Sequence, residues 1–219
     1  MRICAYRLAL LLAVGIVAHA DIVFDTGNDP GGTANVLFNC PSCGDIIGPA
    51  TTVRGHLNTV QQQQVDVKDN TPENLIVNNS GGGQATISAT DTGFTDATIA
   101  FTVPPGGVFT KIIFALSTDV QTTANFTIQV TEGNGQVNNA SYSLDSGNNF
   151  FTVVAINGQD IRTVRIFTQS GEIDTLKQLR IGGTGISEIP EPTSVLLLGT
   201  LVFGTSALLR RRRNSARLA

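Results

Sequence analysis

Residues 97–103 read ATIAFTV, with Ile99, Phe101 and Val103 alternating with Thr98, Ala100 and Thr102. A period of two places the three larger apolar residues on one face of a pleated strand, and β-branched and aromatic side chains suit that surface. The pattern recurs outward from this stretch. In FTIQV, residues 126–130, the apolar face is Phe126, Ile128 and Val130; in TVRIF, Val164 and Ile166 oppose Arg165 and Phe167; Leu179 and Ile181 flank Arg180. Turn-forming clusters separate the runs: Asp29-Pro30-Gly31-Gly32, Ser80 to Gly83, Pro104-Pro105-Gly106-Gly107, Asn134-Gly135, Gly147-Asn148-Asn149 and Asn157-Gly158. Asn-Gly between strands predicts two-residue hairpins. The reading is about ten to twelve short strands between Asp21 and Ile189 and no helix, hence an all-β, two-sheet antiparallel sandwich of jelly-roll type. No fixed repeat period runs through the chain, which sets a solenoid aside.

Both ends differ from this middle. Residues 1–20 carry Arg2 and Arg7, then the apolar run LALLLAVGIV, then Ala18-His19-Ala20 before Asp21. A basic head, an apolar centre and a small-x-small end describe a secretory signal peptide, cut by signal peptidase after Ala20. Cys4 is not where a lipid anchor would attach. At the other end, Thr193 to Leu209 is uncharged, and Arg210, Arg211, Arg212 and Arg213 follow directly. Residues 193–209 predict a transmembrane helix at the short limit for spanning hydrocarbon, with the arginines held on the cytoplasmic side as a stop-transfer signal. Pro190-Glu191-Pro192 keeps the segment before it extended and accessible. The domains expected are therefore a signal peptide (1–20), an exported β-domain (21–187) and a C-terminal segment (188–219).

The C-terminal order of parts, a Pro-Glu-Pro motif, a short apolar helix and an arginine cluster, resembles the PEP-CTERM sorting signal of Gram-negative bacteria. The resemblance implies an exosortase as partner, transient anchoring in the inner membrane, removal of the tail, and delivery to the cell surface or extracellular matrix. It also implies a setting of exopolysaccharide production. The stretches NNFFTVVAINGQDIRTVRI (148–166) and IDTLKQLRIGG (173–183), and less closely VLFN (36–39) and GQATISATD (83–91), are similar to the region before the tail in PEP-CTERM proteins of otherwise unknown role. No catalytic motif comes with that similarity.

Between Asp21 and Ile189 there are seven basic and sixteen acidic residues, a net charge of −9. An acidic domain of this kind excludes nucleic acid as a partner. Cys40-Pro41-Ser42-Cys43 holds the two cysteines of the β-domain. A redox pair would sit at a helix start, which Gly44, Gly48 and Pro49 argue against, and a zinc site would need further ligands beyond the one histidine of this region, His56. In an oxidising exterior a small structural disulfide is expected. Asp25-Thr26-Gly27-Asn28-Asp29, and Asp91 with Asp96, offer oxygen ligands that calcium favours, but they do not match an EF-hand loop and are also ordinary turn chemistry. No cofactor is expected, with calcium at these turns as the alternative.

No G-x-S-x-G elbow, phosphate loop or triad neighbourhood is present, so no catalytic residue is assigned and no enzyme is expected. The expected role is a structural or adhesive surface protein, with a carbohydrate-binding module for extracellular polysaccharide as the alternative. That alternative lacks the usual stacking residues: there is no Trp, and Tyr142 is the only tyrosine of the β-domain. Its ten phenylalanines fall mostly on alternating positions and are expected in the core; in Phe150-Phe151 one ring must face outward, and Phe167 is a second candidate.

Overall fold

The computed structural model describes residues 21–78, 85–104, 106–118 and 123–186. The signal peptide, the Pro190-Glu191-Pro192 motif, the 193–209 helix and the arginine cluster lie outside them. Among the described residues no helix is long and apolar enough to cross a membrane. The chain forms β1 (Asp21–Asp25), β2 (Thr33–Leu37), β3 (Thr52–Leu57), β4 (Val60–Asp69), β5 (Leu75–Asn78) and β6 (Thr86–Ala89). Then come β7 (Asp96–Val103), β8 (Gly107–Val108), β9 (Lys111–Ser117), β10 (Ala124–Glu132) and β11 (Val137–Leu144). The last four are β12 (Asn149–Ile156), β13 (Ile161–Ser170), β14 (Thr175–Gly182) and β15 (Gly185–Ile186). The fold is all-β and antiparallel, as the alternation predicts.

One arm of the main sheet runs β1-β12-β9-β14 and the other β3-β4-β7-β13-β10-β11. β2 joins them: Thr33, Ala34 and Asn35 pair with β14, whereas Val36 and Leu37 pair with β3. The expectation of two separate sheets is corrected here, because a strand that turns between arms half-way along continues the hydrogen bonding from one to the other. β14 divides its free edge in the same way, giving Thr175–Lys177 to β6 and Arg180–Gly182 to β2. Between these partners its register against β9 shifts, with Gln178 at φ 52°. That bulge lets both Leu176 and Leu179 reach the core although three positions apart, which a strict period of two would forbid.

The arms face each other across one apolar cluster. Phe126 on β10 and Phe151 on β12 meet edge-on with ring centroids 5.2 Å apart, and Phe114 on β9 lies 5.9 Å from Phe151. Ile99 and Phe101, Ile128 and Val130, and Val164 and Ile166 point into this cluster as their alternation requires. Each fully buried side chain of this size stabilises the fold by about 1.5–3 kcal/mol relative to exposure.

The turns depart from the two-residue hairpins predicted. Glu132 accepts from Gly135 N–H and donates to Gln136 O, closing a three-residue loop with Gly135 at φ 89°. Asn157 and Gly158 have the positive φ values of a tight turn, 56° and 79°, but the strands they join do not pair. β12 lies between β1 and β9 while β13 lies between β10 and β7, so Asn157-Gly158 carries the chain from one arm to the other.

Candidate functional site

The chain leaves β1 at one margin of its arm and must reach β2 beyond β14. Residues 26–32 make this crossing over the outer face. Thr152, on the outward side of β12, donates to Gly27 O at 2.6 Å and accepts from Asp29 N–H at 3.4 Å. Lys111 at the start of β9 holds Asp29 Oδ2 at 2.6 Å and Gly31 O at 3.2 Å. The turn between β11 and β12 is fixed as firmly: Asn149 Nδ2 donates to Asp145 O at 2.8 Å and Gly147 O at 3.2 Å.

Between these two pinned segments lies a groove of about 480 Å³. Phe150, Phe151 and Tyr142 supply its aromatic part. Tyr142 stands 5.1 Å from Phe151 and 5.8 Å from Phe126, so its ring is fixed by the core. Burial, aided by the negative charge of Asp25, raises the Tyr142 hydroxyl above its ordinary pKa. The polar part comes from Thr26, Asn28, Ser143, Asp145 and Asn148. Lys177 Nζ donates to Asn148 Oδ1 at 3.4 Å, which turns the amide so that its NH₂ remains for another partner. Asp145 is the one carboxylate in the lining. A second depression, about 260 Å³ beside Gly182 and Gly183, is lined by neither an aromatic ring nor a charged side chain.

No protein-family model and no curated protein matches the chain. Among solved structures it is similar to the family 11 carbohydrate-binding module from Clostridium thermocellum in complex with a β-1,3-1,4-mixed-linked tetrasaccharide. Identity is 13%, the TM-score is 0.31, and the match covers 59% of this chain and 92% of that one. It is similar also to the family 11 carbohydrate-binding module of the cellulosomal cellulase Lic26A-Cel5E of Clostridium thermocellum, at 13% identity and a TM-score of 0.31, over 57% of this chain and 88% of that one. A likeness this loose carries no argument about binding.

The residues singled out by sequence fall in separate places. Phe151 is buried and Phe150 is the outward ring of the pair. Phe167 is half-buried on the outer face of β13, with the Arg165 guanidinium 4.9 Å from its ring centre. Cys40 and Cys43 are joined as a disulfide with Cα atoms 5.2 Å apart. Contrary to the expectation that no helix begins there, Pro41–Cys43 forms one 3₁₀ turn, ended by Gly44 at φ 94°. Behind it lies a pairing that the sequence did not reveal. His56 Nδ1 is 3.0 Å from both carboxylate oxygens of Asp45, both side chains are buried, and Asp45 Oδ2 also accepts from Cys40 N–H at 2.8 Å. The pair ties the disulfide turn to β3.

The aspartates considered for calcium do not gather. Asp29 is occupied by Lys111, and Arg165 grips Asp96 at both carboxylate oxygens. The residue that sequence reasoning missed is Asp69, which is 2% exposed. Its signal was present in VDVKD, where alternation puts Asp69 on the same face as Val65 and Val67.

Proposed function

We propose that this chain is an exported, non-catalytic glycan-binding module of the cell surface or extracellular matrix, sorted as an exosortase substrate. The groove between residues 26–28 and the β11–β12 turn carries this reading. It combines aromatic surface with amide, hydroxyl and carboxylate groups on pinned backbone, the mixture that a polyhydroxylated ligand with apolar ring faces requires. Phe150 offers a face for a sugar ring, while Asn28, Asp145 and Asn148 supply the donors and acceptors for its hydroxyls. A single carboxylate in the lining argues against glycoside hydrolysis, which in most families takes two. The two arms packed face to face are read as a jelly-roll-like sandwich carrying this groove on one outer margin.

The test is binding of the full chain, in detergent micelles, to a glycan array and to the exopolysaccharide of the producing organism. Phe150→Ala and Asp145→Ala should each weaken retention at least about tenfold, the loss expected for an anchor residue of a small site, without changing the melting temperature by more than a few degrees. Equal retention by wild type and both variants would remove the groove from the account. Absence of binding by the wild type would leave the structural or adhesive reading in its place.

A further inference from the structure

Strand β14 bears Lys177 and Arg180, three positions apart, which strict alternation would send to opposite faces. The bulge at Gln178 brings them together. Lys177 pairs with Ala115 and Arg180 with Ile113, two positions apart on β9. Both cations therefore stand on the outer face of the arm, away from Leu176 and Leu179 in the core. On β12, Phe150 pairs with Ala115 and Thr152 with Ile113. Two cross-strand rows result, Phe150–Ala115–Lys177 and Thr152–Ile113–Arg180. The backbones of Phe150 and Lys177 are two strand spacings, about 10 Å, apart. Lys177 also reaches the groove directly, through its bond to Asn148.

The other cations of the domain are engaged or isolated. Arg54 pairs with Asp66, Lys111 with Asp29 and Arg165 with Asp96. Arg162 donates to Gly133 O, and Lys68 is a single exposed cation on β4. Among the described residues neither Lys177 nor Arg180 is in an ion pair, although the domain has sixteen acidic residues. Arg180 is half-buried: its Nε is enclosed without an acceptor, and its two amino groups remain open to solvent. A guanidinium withdrawn this far from water is unfavourable without a counter-charge. We propose that Lys177 and Arg180 form an acidic-sugar subsite of the groove, taking the carboxylate of a uronic-acid residue in a polyanionic glycan whose neighbouring ring lies on Phe150. The amino groups of Arg180 suit a carboxylate through charge-assisted hydrogen bonds, and Lys177 adds a point charge beside them. The acidic remainder of the domain repels a polyanion, so these two cations decide where such a chain is held. This inference rests on the glycan reading and narrows it to one class of polymer.

The experiment is retention of the full chain, in detergent micelles, on the exopolysaccharide of the producing organism and on alginate. Each is compared with its carboxyl-reduced form, in which the uronic acids have become neutral sugars. The wild type should hold a native polymer at least about tenfold more tightly than its reduced form, as loss of one charge-assisted hydrogen bond implies, and salt should narrow the difference. Lys177→Gln and Arg180→Gln should each bring retention of the native polymer down toward that of the reduced one, which they leave unchanged. Phe150→Ala should weaken both forms, and Lys68→Gln, on the other arm, neither. Should Arg180→Gln fail to fold, Lys177→Gln still decides. Equal retention of native and reduced forms by the wild type would overturn this inference and leave the groove in place. A preference undiminished in Lys177→Gln, or lowered as much by Lys68→Gln, would overturn it as well. Retention of none of the four polymers would instead remove the glycan reading, and this subsite with it.

Discussion

Asp69 stands where the alternation of β4 reserves a place for an aliphatic side chain, and this has a consequence for pH. A carboxyl whose pKa is raised by folding binds its proton more tightly in the native state than in the unfolded chain. Asp69 and Glu73 therefore destabilise the fold above their raised values, and stability returns as pH falls through those values toward the ordinary carboxylate range. Asp96 acts in the opposite sense. Burial alone would raise it, but the hydrogen bonds from Arg165 and Asn70 and the charge of Arg165 outweigh burial and lower it. Its contribution is present above the ordinary carboxylate range and is lost as pH falls through its lowered value. Urea midpoints should rise as pH is lowered toward the ordinary carboxylate range before falling at lower pH, and Asp69→Asn should flatten the rise. A wild type and an Asp69→Asn variant with midpoints of the same pH dependence would contradict the assignment. The sequence displays Asp69 on its core face, but the company it keeps cannot be read from it. Asp91 and Glu172 arrive from loops 22 and 103 positions away.

Strands were legible from their periods, whereas the places where a strand changes partner were not. A bulge such as that at Gln178 shows in the sequence only as Leu176 and Leu179 falling out of alternation, and the corner in β2 leaves no trace in TANVL. The corner does leave a requirement on the opposite strand. Gly55, in mid-β3, lies beneath β2 where it turns. A Cβ at this position would stand 2.5 Å from Leu37 O, 2.9 Å from Val36 Cγ1 and 3.1 Å from Phe38 Cδ1. The backbone oxygen cannot withdraw without breaking the pairing of Leu37 with His56. Gly55→Ala should therefore destabilise the protein by about 1–3 kcal/mol, the usual cost of forcing an atom into a packed interior, measured by urea denaturation. A loss below about 0.5 kcal/mol would mean that β2 is free to move away from β3.

At the scale of the molecule, the period of two fixes an antiparallel all-β fold but leaves the strand order open. Asp21 pairs with Ile156 and Arg180 with Asn35, and no local signal announces partners so distant. The two ends of the chain are the reverse case, legible in composition and lying outside the described residues. Their reading as an export signal and a sorting signal rests on chemistry that can be varied without touching the β-domain. On the sequence reading, two prolines in three residues should hold the segment before the apolar run extended, and an extended segment is what a membrane protease can grip. Replacing Pro190, Glu191 and Pro192 together by alanine should remove this restraint and extend helix propensity upstream, while leaving unchanged the 193–209 run and Arg210 to Arg213, the expected anchor. In the producing organism, the wild type should be recovered shortened at its C-terminus in the surface or matrix fraction. The triple variant should remain full-length in the inner membrane, as judged by fractionation and mass spectrometry of the C-terminal peptide. If the variant is shortened and released like the wild type, the motif is not the processing signal, and the surface role proposed for the groove would need another route out of the membrane.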